Sequence, residues 1–253
     1  MDRYTIGVAV PGKAVPGAIW AAAYESGRGQ HNVQVRYPGD IAWDGFNATW
    51  CQALISAKQG FTHLAIIHND VLPQAEPPWL ITMLEEMEKT GADMVSAVTP
   101  IKDLAGLTTT GIGDAADPWV PFKRFTLREI LSFPETFSAA DIGYPGRYII
   151  HTGGCCLYDL RKPVYQALKE DGTPKVHFHF PRRVIKDAAG NWGCQGESED
   201  WYFSRMLHEA GGKSVCTRKV RLQHFGEIAF CNWEAWGTLT NGDEATAYKW
   251  RKG

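Results

Sequence analysis

Short apolar runs alternate along the first hundred residues with stretches whose apolar positions recur every three or four residues. Residues 5–10, 31–37, 62–67 and 94–98 read as strands, because β-branched and apolar side chains crowd into runs too short for a helix. Between them, residues 18–25 and about 44–58 have helical spacing, the second ended by Gly60. Pro77-Pro78 opens a further helix through Leu80, Met83, Leu84 and Met87 that stops at Gly91. Strand and helix in alternation predict βαβ units with right-handed crossovers, hence an α/β fold with a mostly parallel central sheet flanked by helices.

The second half is patterned less evenly. Residues 102–146 lack a clear period and are rich in Gly, Thr and Pro, and such a long stretch inside a compact unit is usually functional or mobile. Residues 148–151 and 155–158 read as strands around Thr152-Gly153-Gly154, residues 163–169 as a short helix and 176–180 as another strand. Glu197-Ser198-Glu199-Asp200 opens a helix carrying Trp201, Met206, Leu207 and Ala210, closed by Gly211-Gly212; acids in a first turn also stabilise a helix through its dipole. Residues 214–217 and 220–222 are the last strands and lead to His224.

With 253 residues, 44% apolar and 12% aromatic, the chain can bury a full core, and no linker, repeat or charge block divides it, so one domain over 1–253 is expected. The formal net charge of −2 argues against coating nucleic acid by bulk electrostatics, although Lys123-Arg124, Arg182-Arg183 and Arg218-Lys219-Arg221 form local basic patches. No run approaches the roughly 18 apolar residues of a membrane helix and no export signal is legible, so a cytoplasmic protein without a membrane partner is expected. The six cysteines form no CxxC pair and fit reduced thiols. Cys155 and Cys156, as strand neighbours, point to opposite faces and read as core.

The chemistry starts at His68-Asn69-Asp70, which ends the run Leu64-Ala65-Ile66-Ile67 and puts a carboxylate where a buried strand meets solvent. In open α/β sheets ligands gather outside the carboxyl ends of strands, although Asn-Asp ahead of Leu72-Pro73 is also ordinary turn chemistry. Asp70, the acids at the start of the 197–210 helix and His224 after a late strand together describe a metal and a base. Other signals fall short. Gly111-Ile112-Gly113-Asp114-Ala115-Ala116 lacks the strand-turn-helix context of a dinucleotide fingerprint, and His177-Phe178-His179 lacks a third metal ligand. No Walker A motif, nucleophile elbow or HExxH occurs.

Three stretches carry a resemblance. Asn47-Ala48-Thr49-Trp50-Cys51-Gln52-Ala53-Leu54 with Gly60 precedes Leu64 to Asp70; His151-Thr152-Gly153-Gly154-Cys155-Cys156-Leu157-Tyr158 precedes Arg161; and Gly196-Glu197-Ser198-Glu199-Asp200-Trp201-Tyr202-Phe203 with Gly211 precedes Leu222-Gln223-His224-Phe225-Gly226. In this order they resemble the GT-A fold glycosyltransferases, especially the family 2-like enzymes that use nucleotide-diphosphate sugars, over about residues 4–227. The resemblance implies a single Rossmann-like GT-A domain with a nucleotide-sugar half at about 1–100, an acceptor half at about 101–227 and a tail at 228–253. It implies metal ligation by Asp70 and His224, donor contacts from Pro11, Gly12, Asp40, Asn47, His68 and Asn69, and an acceptor side formed by Gly153, Gly154 and Trp201. Asp200 would be the base, with Glu199 as its competitor. Where the family has aspartate-x-aspartate this chain has His68-Asn69-Asp70, so the first acid, which contacts the nucleoside side, is replaced.

Mixed carboxylate and imidazole ligation suits Mn²⁺ better than Mg²⁺. The implied reaction is metal-dependent transfer of a hexose or pentose from a UDP- or GDP-sugar to a hydroxyl, with inversion, on a glycan or a hydroxymethylated base in DNA. One rival is a sugar-phosphate nucleotidyltransferase, for which Val10-Pro11-Gly12-Lys13 is a thin version of the expected Gly-rich, basic signature. Another is a non-catalytic carbohydrate or nucleic-acid binding module using the tryptophans and basic pairs, against which the set Asp70, Asp200 and His224 speaks.

Overall fold

Two strands buried at every position, β3 (His63–Ile67) and β10 (Cys155–Asp159), form the middle of the molecule. The computed structural model describes residues 4–12, 16–25, 27, 29–36, 43–151 and 154–242. Its remaining strands are β1 (Thr5–Ala9), β2 (Asn32–Arg36), β4 (Val71–Pro73), β5 (Met94–Ala97), β6 (Leu107–Gly113), β7 (Lys123–Thr126), β8 (Thr136–Phe137), β9 (Tyr148–Ile150), β11 (Arg182–Lys186), β12 (Trp192–Gly196), β13 (Ser214–Thr217), β14 (Leu222–Phe225) and β15 (Ala229–Cys231). Its α-helices are α1 (Gly17–Glu25), α2 (Trp43–Ala57), α3 (Trp79–Thr90), α4 (Leu127–Ile130), α5 (Pro163–Gln166) and α6 (Glu199–Glu209).

The central sheet has seven strands in the order β2-β1-β3-β10-β5-β13-β8. β2, β1, β3, β5 and β13 run one way, while β10 and β8 run against them, so the sheet is mostly parallel in strand direction, as expected, and mixed through these two strands. Alternation along the strands sorts the side chains onto two apolar layers. Ile6, Val8, Ala65, Ile67, Cys155 and Leu157 pack with Ile19 of α1 and with Leu80, Met83 and Met87 of α3. Leu64, Ile66, Cys156 and Tyr158 pack on the other face with Phe46 and Trp50 of α2 and Phe203 and Leu207 of α6. Cys155 and Cys156 do face opposite layers, and all six cysteines are free thiols. Among the described residues no helix is long and apolar enough to cross a membrane.

Three departures from the sequence reading have physical causes. Residues 102–146 contain β6, β7, β8 and α4, and the sheet β7-β6-β9 closes a third apolar cluster around Ile112, Phe125 and Ile149. β6 hides its strand character because its buried inward positions include Thr108 and Thr110, whose hydroxyls reach the Phe125 carbonyl and the Cys216 thiol. Residues 176–180 form no strand. Val176 and Phe178 are buried as the pattern demands, but side chains satisfy their backbone: Trp50 Nε1 donates to the Val176 carbonyl at 2.8 Å, and Asn47 both accepts from the Phe178 N–H at 2.9 Å and donates to its carbonyl at 2.6 Å. Finally, residues 71–73, to which the sequence reading assigned no strand, pair as β4 with β14, which begins two residues later than the expected strand and pairs in turn with β15.

Candidate functional site

That last sheet builds the site. β4 runs antiparallel to β14 with His224 opposite Val71, and the Phe225 N–H donates to the Asp70 carbonyl at 2.7 Å. Asp70, at the end of β3, is thereby set beside His224, 154 residues away by chain count yet 3.5 Å away between Nε2 and Oδ2. His224 Nδ1 lies 2.7 Å from the Pro100 carbonyl. A carbonyl only accepts, so Nδ1 carries a proton, and Nε2 is the ring nitrogen turned toward Asp70. Buried Asn232 ties this corner to the main sheet, donating to the carbonyls of Val98 and Val220 and accepting from the Leu222 N–H.

Lys102 donates to the same Oδ2 of Asp70 at 2.6 Å. Burial opposes ionisation of Asp70, but the hydrogen bonds and charges of His224 and Lys102 outweigh it and hold the carboxyl well below the usual carboxylate range. Asp70 Oδ1 is sealed from solvent with no hydrogen-bond partner. A buried oxygen left in that state is a natural ligand atom, and with His224 Nε2 it fits a divalent ion that takes its other ligands from substrate phosphates and water. No group of three or more His, Cys, Asp or Glu able to hold a metal occurs among the described residues, so these two protein donors make a partial shell.

The expected donor contacts have different surroundings. Pro11 and Gly12 follow β1 and are buried, and a Cβ on Gly12 would come within 2.5 Å of the Asn69 side chain, so the loops after β1 and β3 are pressed together. His68 turns its ring onto Phe46 at 5.5 Å between centroids, and its Nε2 is buried without a hydrogen bond. Asn47 spends its amide on Phe178, as above, and serves as a brace for that segment. Asp40 lies outside the described residues.

On the acceptor side, Gly153 also lies outside them. Gly154 fits closely: a Cβ there would meet Thr99 Oγ1 at 2.8 Å, and its carbonyl accepts from the His68 N–H at 3.0 Å, locking β10's entry to β3's exit. Trp201 carries the Arg124 guanidinium over its ring at 4.8 Å, and burial pulls that guanidinium down to about 10. Asp200 and Glu199 begin α6. The Asp200 carboxylate lies near Cys156, and burial first and this charge second push the Cys156 thiol well up. Glu199 accepts from Ser198 Oγ at 3.0 Å, whereas Glu197 is wholly buried in a two-pronged ion pair with Arg205 at 2.9 and 2.7 Å. His177 and His179 both pack on the Tyr202 ring, at 5.4 and 5.2 Å, rather than forming a metal site with a third ligand.

Sequence reasoning missed Lys102, Asn232 and the Ser96–His151–Ser204 chain. His151 Nδ1 meets Ser96 Oγ at 2.5 Å, and the His151 backbone N–H donates to Ser204 Oγ at 3.0 Å, which donates in turn to the Asp200 carbonyl at 2.7 Å. Only β5, β9 and α6 meeting in space reveals that chain.

Three histidines share one consequence. Burial lowers His63 and His68 to about 4 and His151 to about 3, in each case as the dominant cause. Since their folded pKa values sit below the unfolded value, the unfolded chain binds more protons as acid is added, and stability present above pH ~6.5 drains away toward pH 4. Urea midpoints measured at pH 7.5, 6, 5 and 4 should fall steadily, and a His151→Phe variant should flatten part of that decline; a flat series would contradict the buried neutral rings.

No protein-family model and no curated protein matches the sequence. Among solved structures, the crystal structure of A197 from STIV superposes with a TM-score of 0.51 at 11% identity, over 92% of this chain and 94% of that one. CMP:2-keto-3-deoxy-manno-octonic acid synthetase complexed with CTP superposes with a TM-score of 0.39 at 11% identity over the full length of both chains, too loosely to bear on this one. The first likeness shows the fold, an α/β architecture with a mixed, mostly parallel central sheet flanked by helices.

Proposed function

We propose that the protein is a glycosyltransferase that moves a hexose or pentose from a nucleotide-diphosphate donor to an acceptor hydroxyl. The observation that carries this reading is the β4–β14 pairing, which holds Asp70 and His224 side by side at the carboxyl edge of the parallel strands, where α/β folds take nucleotides. Asp70 and His224 would hold a divalent ion, Mn²⁺ ahead of Mg²⁺, and that ion would supply charge stabilisation for a departing diphosphate.

The chain's own groups do the rest. The closely packed Pro11-Gly12 and His68-Asn69 turns would bound the nucleoside, with neutral His68 giving a ring edge where a carboxylate would have given charge. Asp200, in the first turn of α6, would accept the acceptor's proton during attack, and Gly154, packed against Thr99, would hold the start of β10 against the end of β3 beneath the acceptor side. Trp201 would offer a ring face to the acceptor.

The acceptor is a glycan in the simplest case. A DNA acceptor carrying a hydroxymethylated base is the second reading, and the β11–β12 hairpin favours it: Arg182, Arg183 and Lys186 stand exposed and lie over the rings of Phe180, Trp119 and Trp192, with Trp192 itself 74% exposed. Cations interleaved with rings suit a backbone of phosphates and stacked bases.

The test is a panel of UDP- and GDP-sugars incubated with the protein and Mn²⁺, followed by mass spectrometry for the free nucleoside diphosphate. Release from at least one donor is expected. Release from none would overturn the reading, and pyrophosphate released from a nucleoside triphosphate plus a sugar phosphate would replace it with nucleotidyl transfer.

A further inference from the structure

Lys102 is the described residue nearest to Asp70 that the functional reading leaves without a task. Its Nζ sits 2.6 Å from Asp70 Oδ2, the oxygen that also faces His224 Nε2 at 3.5 Å. Its position is built. The loop after β5 fixes both partners of the carboxylate, because Pro100 orients the His224 ring and Lys102 follows two residues later. On the far side, Gly226 clears a path for the lysine stem: a Cβ there would touch Lys102 Cβ and Cδ at 3.4 Å. The residue after Lys102 is tied back to this loop by the Asp103 N–H donating to the Ile101 carbonyl at 2.9 Å.

We propose that Lys102 is a resident cation that competes with a divalent metal for Asp70, so that free metal binds poorly and enters with the nucleotide, whose phosphates can then accept the displaced ammonium. This rests on the metal reading of Asp70 and His224. The physical ground is that an ion bound to this carboxylate, through Oδ1 or Oδ2, would lie within a few ångströms of the ammonium held on Oδ2, and two cations that close repel strongly at a half-buried site. Both side chains remain about one-third exposed, at 38% for Lys102 and 32% for Asp70, so the lysine has a flexible, solvated path away from the carboxylate. A diphosphate offers that ammonium more negative charge than one carboxylate does. The lysine therefore prevents Asp70 from being an uncompensated charge before substrate arrives and neutralises phosphate afterwards.

The experiment measures Mn²⁺ binding without nucleotide, by electron paramagnetic resonance of the free ion, for the wild-type protein and the Lys102→Met, Lys102→Gln and Asp70→Asn variants at low ionic strength. Lys102→Met and Lys102→Gln are expected to bind Mn²⁺ at least about tenfold more tightly than wild type, a gain that shrinks as salt is added. Asp70→Asn is expected to bind none at those concentrations. Thermal unfolding run in parallel establishes that the variants are folded, since methionine and glutamine both retain the stem that packs on Gly226. Lysine variants no tighter than wild type, with Asp70→Asn still deficient, would overturn the competition while leaving the metal reading intact. Absence of Mn²⁺ binding in every protein would overturn both.

Discussion

Asp70→Asn is expected to lower donor turnover by about 10²–10³-fold while the protein stays folded. The substitution keeps the shape of the side chain and removes the carboxylate set beside His224. The native Asp70 is ionised throughout the physiological range because Lys102 and His224 overcome the burial that opposes it. An amide in its place offers a weaker oxygen to a cation and turns an NH₂ toward donors that need an acceptor. Stability should move by no more than about 1 kcal/mol, because the Lys102 pair is partly exposed on both sides and such pairs contribute little. Initial rates of nucleoside-diphosphate release, read beside a thermal melt, separate the two effects. Full turnover in a folded Asp70→Asn protein would remove Asp70 from the chemistry.

What the sequence could reveal about this corner follows from how it is made. β3 is a fully buried run of five residues, so its end, and with it Asp70, was legible from apolar content alone. The helix start at Glu199 was legible for a similar reason, since acids precede an amphipathic stretch ending at paired glycines. The contact that turns these pieces into a site was not. β4 has three residues, one of them proline, and its strand character exists only through pairing with β14 some 150 residues later. The β11–β12 hairpin escaped because most of its positions are exposed, leaving no alternation of buried and solvent-facing residues to detect. The opposite error at 176–180 is equally instructive: Val176 and Phe178 alternate as strand residues do, but the indole of Trp50 and the amide of Asn47 take the backbone bonds a neighbouring strand would have made. Burial pattern reports which side chains go inward, and hydrogen-bond partners decide what element results.

The choice between Asp200 and Glu199 follows from the same distinction between position in sequence and surroundings in space. Asp200→Asn is expected to reduce kcat by about 10²–10⁴-fold, and Glu199→Gln by less than about threefold. Glu199 already accepts a hydrogen bond from its neighbour Ser198. Asp200 turns inward beside Cys156, near the point where β10 leaves Gly154 and the exit of β3, and its own carbonyl is anchored through Ser204 to the His151 backbone. A base must have fixed geometry before it has a suitable pKa, and Asp200 is the acid of this pair held by two elements of the core. The neighbouring Glu197 provides the internal control: its ion pair with Arg205 is structural, so Glu197→Gln should lower the melting temperature, whereas Asp200→Asn should lower kcat with a smaller thermal effect. The pH profile of kcat/KM makes the assignment independent of rate alone. If Asp200 must be ionised to accept the proton, the acid limb of that profile disappears in Asp200→Asn and persists in Glu199→Gln; the reverse pattern would move the base one residue back along α6.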